Sequence, residues 1–390
     1  RAPPTASVAS SPPASTTDLR PDADAPARLR QHCEAMNLDD LARPVGAFAS
    51  DNQAGAHPAV LEALVAANSG HEPSYGYDRF TAAADEQFNA LFDRDVDVYY
   101  VWSGTGANVM ALTSLVGPAG GVVCTDWSHI NIDETGAPER IAGCKLIDLP
   151  CPDGRMTADQ LRSTFSLLGD EHHVQPQVLS ITQSTELGTL YSLEQLRELC
   201  DVAHERGLVV HLDGARLANA TAALGGTVEV LRALTVGAGV DVVSFGGTKN
   251  GLVHGEAVVY LDHRLSRQAK FVRKLVSQLP SKMRFIAAQF GALLGDGLWL
   301  RNAAHANAMA RRLYDSIDAQ AAGLTAPPAV NSLFPCLPRP VIEALQAWTP
   351  FYDWDLSRNQ VRWMTAWDTS PDDVDRLAAA VRLLTAAGGS

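Results

Sequence analysis

The sequence is poor in basic side chains. Its 31 Lys and Arg residues are outnumbered by 44 Asp and Glu residues, which gives a net charge of -13. Because nucleic acids and anionic membrane surfaces bind to basic faces, neither partner is expected. The sequence also lacks any apolar run close to the roughly 20 residues that cross a bilayer as a helix. The expected partners are therefore small molecules, bound in pockets whose local charge differs from the net charge.

Familiar metal, redox and nucleotide motifs are missing as well. The six cysteines form no Cys-x-x-Cys pair, which excludes a zinc knuckle and a thioredoxin-type motif. Thiols scattered in this way are typical of reduced cysteines in a cytoplasmic protein. His211 and Asp213 lie two apart on a predicted strand, but no third ligand is evident, so no metal site is expected. Without a full Gly-x-Gly-x-x-Gly fingerprint or a P-loop lysine, nucleotide binding is disfavoured.

The chain divides into regions of different composition. Residues 1–40 are rich in Ala, Pro, Ser and Thr, which predicts a disordered arm. Residues 41–262 alternate β-rich runs with helical stretches, which predicts a large domain. Residues 263–390 begin with a long helical region up to about residue 320, and short extended pieces and a final helix follow. We interpret them as an interdomain helix and a small α+β C-terminal domain.

The alternation of strands and helices predicts the fold class. The clearest helix spans residues 192–206, with Ser192 and Gln195 spaced as a capping box and Gly207 at its end. Strands at this spacing form βαβ units, so we expect an α/β fold with a mostly parallel sheet flanked by helices. Ligands of such sheets bind beyond the carboxyl ends of the strands, where the candidate site residues should lie.

Small and polar residues follow three of the predicted strands. The turn S-G-T-G-A-N (103–108) can direct backbone N–H groups at an anion. Asp213, in H-L-D-G-A-R (211–216), suits a basic ring nitrogen, although a plain turn with a surface arginine explains this run equally well. Lys249, in S-F-G-G-T-K-N-G (244–251), lies where an enclosed lysine can form a Schiff base. Together these groups form the set that pyridoxal 5'-phosphate needs for its phosphate, ring nitrogen and aldehyde.

On these motifs, the chain resembles the low-specificity threonine aldolases, which are pyridoxal-phosphate enzymes of the aspartate-aminotransferase (type I) fold. The strongest match is H-L-D-G-A-R-L-A-N-A (211–220), joined by F-A-S-D-N (48–52) and Y-G-Y-D (75–78). The resemblance implies retro-aldol cleavage of a β-hydroxy-α-amino acid to glycine and an aldehyde. The substrate would be threonine, allo-threonine or an aromatic analogue such as phenylserine. It also implies a homodimer or homotetramer with shared active sites.

The resemblance assigns roles to single residues. Lys249 would carry the cofactor, and Asp213 would hold the proton on its ring nitrogen. His129, in D-W-S-H-I-N (126–131), would stack on the ring near the substrate hydroxyl. The phosphate would be bound by the small residues of the first turn, Gly104, Thr105 and Gly106.

Arginines are assigned to the anionic groups, since a guanidinium binds carboxylate and phosphate through two hydrogen bonds. Arg216 and Arg362, helped by Ser50, would bind the substrate carboxylate, and Arg216 would also contact the cofactor. Arg284, in S-K-M-R-F (281–285), would reach a phosphate in the neighbouring subunit.

One position departs from the family pattern. Many members carry a second histidine after a strand-end threonine, and this chain has Glu186 there. A glutamate near a β-hydroxyl can act as general base, directly or through a water. Alternatively, it only orients His129 or Thr185, so the sequence leaves the base open between Glu186 and His129.

Other functions remain open at this stage. A β-eliminating lyase, a racemase or a transaldolase would use the same cofactor residues. A nicotinamide dehydrogenase is disfavoured by the missing fingerprint. A non-enzymatic regulator that merely keeps the fold is disfavoured by the intact set of Lys249, Asp213, His129 and Arg362.

Overall fold

The computed structural model describes residues 38–387, so the predicted arm lies almost entirely outside the described residues. Its largest feature is a seven-stranded sheet. The strands are β1 (Asp97–Val101), β2 (Gly120–Thr125), β3 (Lys145–Leu149), β4 (Gln175–Thr182), β5 (Val209–Gly214), β6 (Val242–Gly246) and β7 (Glu256–Tyr260). Their order across the sheet is β1-β7-β6-β5-β4-β2-β3. Strands β2 to β6 pair in parallel, and β7 is antiparallel to both neighbours. The carboxyl ends of β1 to β6 therefore meet at one edge, where β7 begins.

Helices cover this sheet, as its burial requires. Strands β2, β6 and β7 are buried along their whole length, which needs packed layers on both faces. The helices of this part of the chain are α1 (Pro58–Ala67), α2 (Arg79–Phe92), α3 (Gly104–Leu115), α4 (His129–Ile132), α5 (Ala158–Ser163), α6 (Leu193–His204), α7 (Leu217–Ala223), α8 (Val228–Leu234), α9 (Ala269–Leu275) and α10 (Arg284–Gly295).

Side-chain caps determine where several helices begin. In α6 the Ser192 hydroxyl accepts the Gln195 N–H, and the Gln195 side chain accepts the Ser192 N–H, which confirms the predicted capping box. Helix α3 begins directly after β1, because the Ser103 hydroxyl accepts the Gly106 N–H at 3.1 Å. The N-terminus of α3 thus lies at the carboxyl edge of the sheet.

Aromatic packing fixes the strands that carry the site. Phe88 of α2 and Phe290 of α10 have ring centroids 5.5 Å apart, and Phe88 meets Phe245 of β6 at the same distance. Tyr100 of β1 lies 5.4 Å from Phe290. Burying each phenylalanine contributes about 2–3 kcal/mol. This cluster holds β1 and β6 in a fixed relation through the helices that cover them.

A second, smaller unit follows. Its sheet has the order β8-β10-β9, with antiparallel pairing. The elements are α11 (Leu298–Ser316), β8 (Ser332–Leu333), α12 (Arg339–Trp348), β9 (Tyr352–Asp355), β10 (Gln360–Met364) and α13 (Pro371–Ala387). Its buried core includes Phe48, whose carbonyl accepts the N–H of Met364 at 2.8 Å. The predicted α/β class with a small α+β unit is confirmed.

The long helical region predicted up to residue 320 is divided into α9, α10 and α11. Ser277 and Gly297, both with positive φ, lie at the two breaks. Val272 of α9 and Phe290 of α10 are buried with the large sheet, not with the small one. The division into residues 41–262 and 263–390 stays a prediction, and this packing favours a later boundary, within α11.

Over residues 38–387, no helix combines the length and the apolarity needed to cross a bilayer.

Candidate active site

Six of the eleven predicted site residues line a cleft at the carboxyl edge of the large sheet. The cleft has about 490 Å³ of empty space, part of it open to solvent. Its lining combines strand ends and helix starts: Gly104, Ala107, Asn108, His129, Thr182, Ser184, Glu186, Asp213, Ala215, Arg216, Ser244, Lys249 and Glu256. Residues that are up to 152 positions apart in the sequence therefore meet in one place, as the strand order requires.

Lys249 follows β6 in a short turn, Thr248–Asn250. A Cβ on Gly246 would lie 2.3 Å from the Ala215 carbonyl oxygen, so the chain needs glycine there. Burial lowers the pKa of the Lys249 ammonium, and the Arg216 charge acts in the same direction. Within residues 38–387 the ammonium forms no salt bridge. A half-buried lysine without a salt bridge, at lowered pKa, suits attack on an aldehyde.

Asp213 ends β5 and remains a carboxylate although it is buried. One oxygen accepts the Ala215 N–H at 3.0 Å, and the other accepts the Asn108 amide at 2.8 Å. Burial acts to raise the pKa of Asp213, but His129, the Ala215 N–H and Asn108 outweigh it and hold the pKa below its ordinary value. A permanently charged carboxylate can hold a proton on a basic ring nitrogen.

His129 is held by a residue that the sequence interpretation missed. Its Nδ1 lies 2.8 Å from Oε1 of Glu134, which is 3% exposed. The hydrogen bond to Glu134 raises the pKa of His129. The amide of Asn108 donates to the same Glu134 oxygen at 2.9 Å and to Asp213, so the imidazole is connected to Asp213 through two side chains. The only sequence signal for this contact was the five-residue spacing from His129 to Glu134.

Glu186 contacts His129 through the backbone. Its Oε1 accepts the His129 N–H at 2.8 Å and the Thr182 hydroxyl at 2.9 Å. Its Oε2 is buried and has no hydrogen-bond partner among the described residues. Burial, followed by repulsion from Asp213, raises the pKa of Glu186 to about 7. The carboxyl group can therefore take up and release a proton near neutral pH.

The two candidate arginines differ in what they already bind. Arg216 donates to both oxygens of Asp51, at 2.7 and 2.8 Å, and Asp51 is 2% exposed. Arg362 donates to the Ala49 carbonyl at 3.2 Å, and its buried Nε has no partner within residues 38–387. Its guanidinium lies 5.0 Å above the ring of Trp354. Arg362 thus has the more available donors, while Arg216 is engaged by Asp51, a residue that sequence reasoning passed over within F-A-S-D-N.

The predicted phosphate turn lies at the start of α3. Gly104 lines the cleft, and Thr105 and Gly106 follow in the first helical turn. The Gly106 N–H is already bonded to Ser103. A Cβ on Gly106 would lie 2.5 Å from the end of the Gln278 side chain, which would have to move to make room for it. The N-terminus of a helix remains the natural anion site of this cleft.

Five predicted residues do not line the cleft: Thr105, Gly106 and Arg362, described above, and Ser50 and Arg284. The Ser50 hydroxyl accepts the Asn52 N–H at 3.2 Å and caps the turn Asp51–Gln53. Arg284 donates to the Gly70 carbonyl at 3.2 Å and packs over Phe285. Their roles toward the substrate and toward a neighbouring subunit's phosphate stay predictions.

His211 lies behind the site and is not part of it. It is fully buried, and its ring nitrogens are 3.0 and 2.9 Å from the hydroxyls of Ser180 and Ser244. Burial lowers its pKa to about 4, so the ring is neutral. Among residues 38–387, no group of three His, Cys, Asp or Glu side chains is arranged to hold a metal ion.

The cleft fits pyridoxal 5'-phosphate. Its lining combines a half-buried lysine without a salt bridge, a charged aspartate and a helix N-terminus. Buried polar atoms in its wall have no partner among the described residues: Asn108 Oδ1, Ser184 Oγ and Glu186 Oε2. Unsatisfied buried polar atoms are costly, which indicates that a polar ligand completes the site.

Comparisons with known proteins identify the family of this chain. The model of the beta-eliminating lyase family matches residues 47–337. A low-specificity L-threonine aldolase from Pseudomonas sp. (strain NCIMB 10558) is 40% identical over 344 residues, which cover 87% of this chain and 98% of that protein. The chain belongs to the threonine aldolases of the beta-eliminating lyase family.

A solved structure agrees with this assignment. A threonine aldolase from Leishmania major has a TM-score of 0.81 and 31% identity, and the match covers 87% of this chain and 99% of that chain. An alanine racemase, TOXG, from Cochliobolus carbonum is 28% identical over 176 residues, which are 45% of this chain and 44% of that protein. Enzymes of the threonine aldolase family work with pyridoxal 5'-phosphate. The predicted family, fold and cofactor are confirmed.

Proposed function

We propose that this threonine aldolase cleaves a β-hydroxy-α-amino acid, such as threonine, allo-threonine or phenylserine, to glycine and an aldehyde. The observation that carries the proposal is that Lys249, which forms no salt bridge within residues 38–387, and Asp213, whose pKa is lowered, line the same cleft. Bound pyridoxal 5'-phosphate supplies an electron sink for the Cα–Cβ bond that breaks. The names of two relatives that are 40% identical to this chain support the same reaction.

Different residues of the chain would bind different groups of the cofactor. When pyridoxal 5'-phosphate is bound, the Lys249 amine would hold its aldehyde and Asp213 would keep a proton on its ring nitrogen. His129, which Glu134 holds in place, would contact the cofactor ring. The N-terminus of α3, beginning at Gly104, would hold the phosphate.

We assign the removal of the β-hydroxyl proton to Glu186. Nδ1 of His129 is already bonded to Glu134 at 2.8 Å, which makes the imidazole the weaker candidate for a base. Glu186 titrates at about pH 7 and keeps one oxygen without a partner among residues 38–387. Proton transfer is most effective when the pKa of the base lies near the working pH.

Arg362 is the proposed anchor of the substrate carboxylate. Its buried Nε lacks a partner in the described part of the chain, and Trp354 supports its planar face. Arg216, bound to Asp51, contributes positive charge next to this anchor, and repulsion from Arg216 contributes to a lowered pKa of Arg362. Two adjacent guanidiniums create local positive potential in an acidic protein.

The assembly is proposed to be a homodimer or a homotetramer with shared sites. Apolar side chains are exposed beside the α3 turn, including Tyr75, Trp102 and Leu275, at 46, 42 and 74% exposure. Such a patch favours contact with another subunit. We propose a cytoplasmic enzyme, since no two cysteines of residues 38–387 form a disulfide.

An aldehyde-release assay tests the function. Purified enzyme is given L-threonine, L-allo-threonine and both phenylserine diastereomers, and aldehyde and glycine are measured together. Equal amounts of both products support aldol cleavage, whereas the Lys249→Ala variant should lose turnover.

A racemase is the second candidate, because TOXG matches part of this chain. Stereoinversion of alanine without aldehyde would favour it. Ammonia and a keto acid would indicate β-elimination. A transaldolase would transfer the aldehyde without releasing free glycine.

A further inference from the structure

Glu256 is a buried carboxyl group for which the reaction described above has no task. It begins the apolar strand β7 and is 6% exposed. It borders the same cleft as Lys249 and Gly104. A glutamate in such an environment is rarely found without a partner or a function.

The strand order places Glu256 between the two turns that would bind the cofactor. In the sheet register it pairs with Gly246 of β6 on one side and with Val101 of β1 on the other. Strand β6 leads to the Lys249 turn, and β1 leads to the N-terminus of α3. Glu256 thus stands at the sheet edge beside both.

Its side chain holds the beginning of the lysine turn. Oε2 of Glu256 accepts the backbone N–H of Gly247 at 2.6 Å, and Gly247 is the residue at which the chain leaves β6. A Cβ on Gly247 would lie 2.5 Å from Leu252 and 2.6 Å from the Gly255 carbonyl oxygen, so the backbone is tightly enclosed there. The bonded N–H is two residues before Lys249.

A neighbouring contact ties the same turn to β7. The hydroxyl of Thr248 accepts the N–H of Gly255 at 3.0 Å. On the other side of Lys249, the Asn250 amide donates to the Trp299 carbonyl at 2.8 Å. The turn is therefore fixed before and after the lysine, and Glu256 supplies its only carboxylate contact among residues 38–387.

We propose that Glu256 is a positioning residue, which fixes the Gly247–Lys249 turn through its bond to the Gly247 N–H and so aims the lysine at the cofactor aldehyde. The inference rests on the proposed function only in that pyridoxal 5'-phosphate binds; it does not depend on which amino acid is cleaved.

The protonation state of Glu256 is not essential to this role. Burial raises its pKa to about 7, while the Gly247 N–H, the Thr248 hydroxyl and the Lys249 charge favour the ionised form. A neutral carboxyl or amide oxygen also accepts an N–H. The role therefore depends on an acceptor oxygen that reaches the Gly247 N–H, and not on the charge of Glu256. Variants of Glu256 can separate these two properties.

The test measures the dissociation constant of pyridoxal 5'-phosphate from the full-length protein by fluorescence titration of apoenzyme. Glu256→Gln keeps the acceptor and should stay within about threefold of the wild type. Glu256→Met keeps the size but loses the acceptor, and its dissociation constant should rise about tenfold. Glu256→Asp keeps the charge but is one methylene shorter, and it should behave like Glu256→Met. If Glu256→Met does not fold, the dissociation constant of Glu256→Asp tests the proposal instead.

Tyr260→Phe is the matched control. Tyr260 lies on the same strand, is fully buried, and shares a 2.7 Å hydrogen bond with Ser114. Its loss should reduce stability without changing cofactor affinity. In the loaded enzyme, Glu256→Met should lower kcat about tenfold while KM for the amino acid stays within twofold.

Three results would overturn the proposal. The first is wild-type cofactor affinity in Glu256→Met or Glu256→Asp. The second is an equal loss in Glu256→Gln and Glu256→Met, because charge would then be decisive. The third is the same loss in Tyr260→Phe, because strand stability would then be the cause. A wild-type enzyme that binds the cofactor but releases no aldehyde would refute the proposed function and leave this test unaffected.

Discussion

The guanidinium of Arg216 binds the carboxylate of Asp51 through two hydrogen bonds, although the residues are 165 positions apart. Asp51→Ala would leave this arginine buried without its partner. Breaking a buried pair from one side costs about 3–5 kcal/mol, and we expect a loss of this size in the free energy of unfolding by urea.

The exposed pair of Arg311 and Asp315 is the matched control for Asp51. Asp315→Ala should cost less than about 1 kcal/mol, and an equally small loss in Asp51→Ala would contradict the expectation. The pKa of Asp51 lies below its ordinary value of 3.8: burial acts to raise it, and Arg216 outweighs burial. The stabilisation should therefore be complete above about pH 4 and disappear as the pH falls through the lowered pKa.

Arg362→Leu should weaken substrate binding. Loss of the carboxylate anchor is expected to raise KM about 100-fold, with a much smaller change in kcat. Arg362→Lys should rescue only part of the affinity, because an ammonium cannot form the planar fork. Arg358→Leu, at an exposed position before β10, is the control and should leave KM unchanged. A wild-type KM in Arg362→Leu would assign the carboxylate to another residue.

Glu186→Gln should remove a step of the pH profile. Since the proposed base acts when deprotonated, kcat/KM of the wild type should rise with pH through about 7. In Glu186→Gln, kcat should fall at least about 100-fold and the rise at this pH should vanish. Steady-state rates from pH 5.5 to 9 measure both effects. An unchanged profile would transfer the role of base to His129.

Glu134→Gln should lower the pKa of His129. The hydrogen bond to the Glu134 carboxylate is the main cause of the raised value, so a neutral amide should bring it back toward 6.5 or below. NMR titration of the His129 ring signal in the apoenzyme measures this shift. Glu139→Gln, a nearby change that leaves the Glu134 contact in place, should not alter it. A pKa that does not move in Glu134→Gln would mean that another group controls the imidazole.

Three of the residues found from sequence share one property: they lie at the end of a strand or shortly after it. Lys249, Asp213 and Gly104 could be placed because buried strands are recognisable as apolar runs and parallel strands end at one edge. The capping box of α6 was equally local, since Ser192 and Gln195 are three residues apart.

Two of the residues that were missed, Asp51 and Asn108, depend on distant partners. Asp51 lies 165 positions from Arg216, and Asn108 lies 105 from Asp213. Such pairings can be recognised only when the strand order is known. The break of the predicted long helix at Ser277 has a similar cause, because a positive φ at a non-glycine residue has little local sequence signal.

The short segment from Phe48 to Asp51 joins the two cores mechanically. Phe48 is buried in the smaller core, the Ala49 carbonyl holds Arg362, and Asp51 holds Arg216 next to the large sheet. A rotation of the smaller core would therefore carry Arg362 with it and pull on Arg216 through Asp51. Binding of the substrate carboxylate and the angle between the two cores are therefore coupled through this segment.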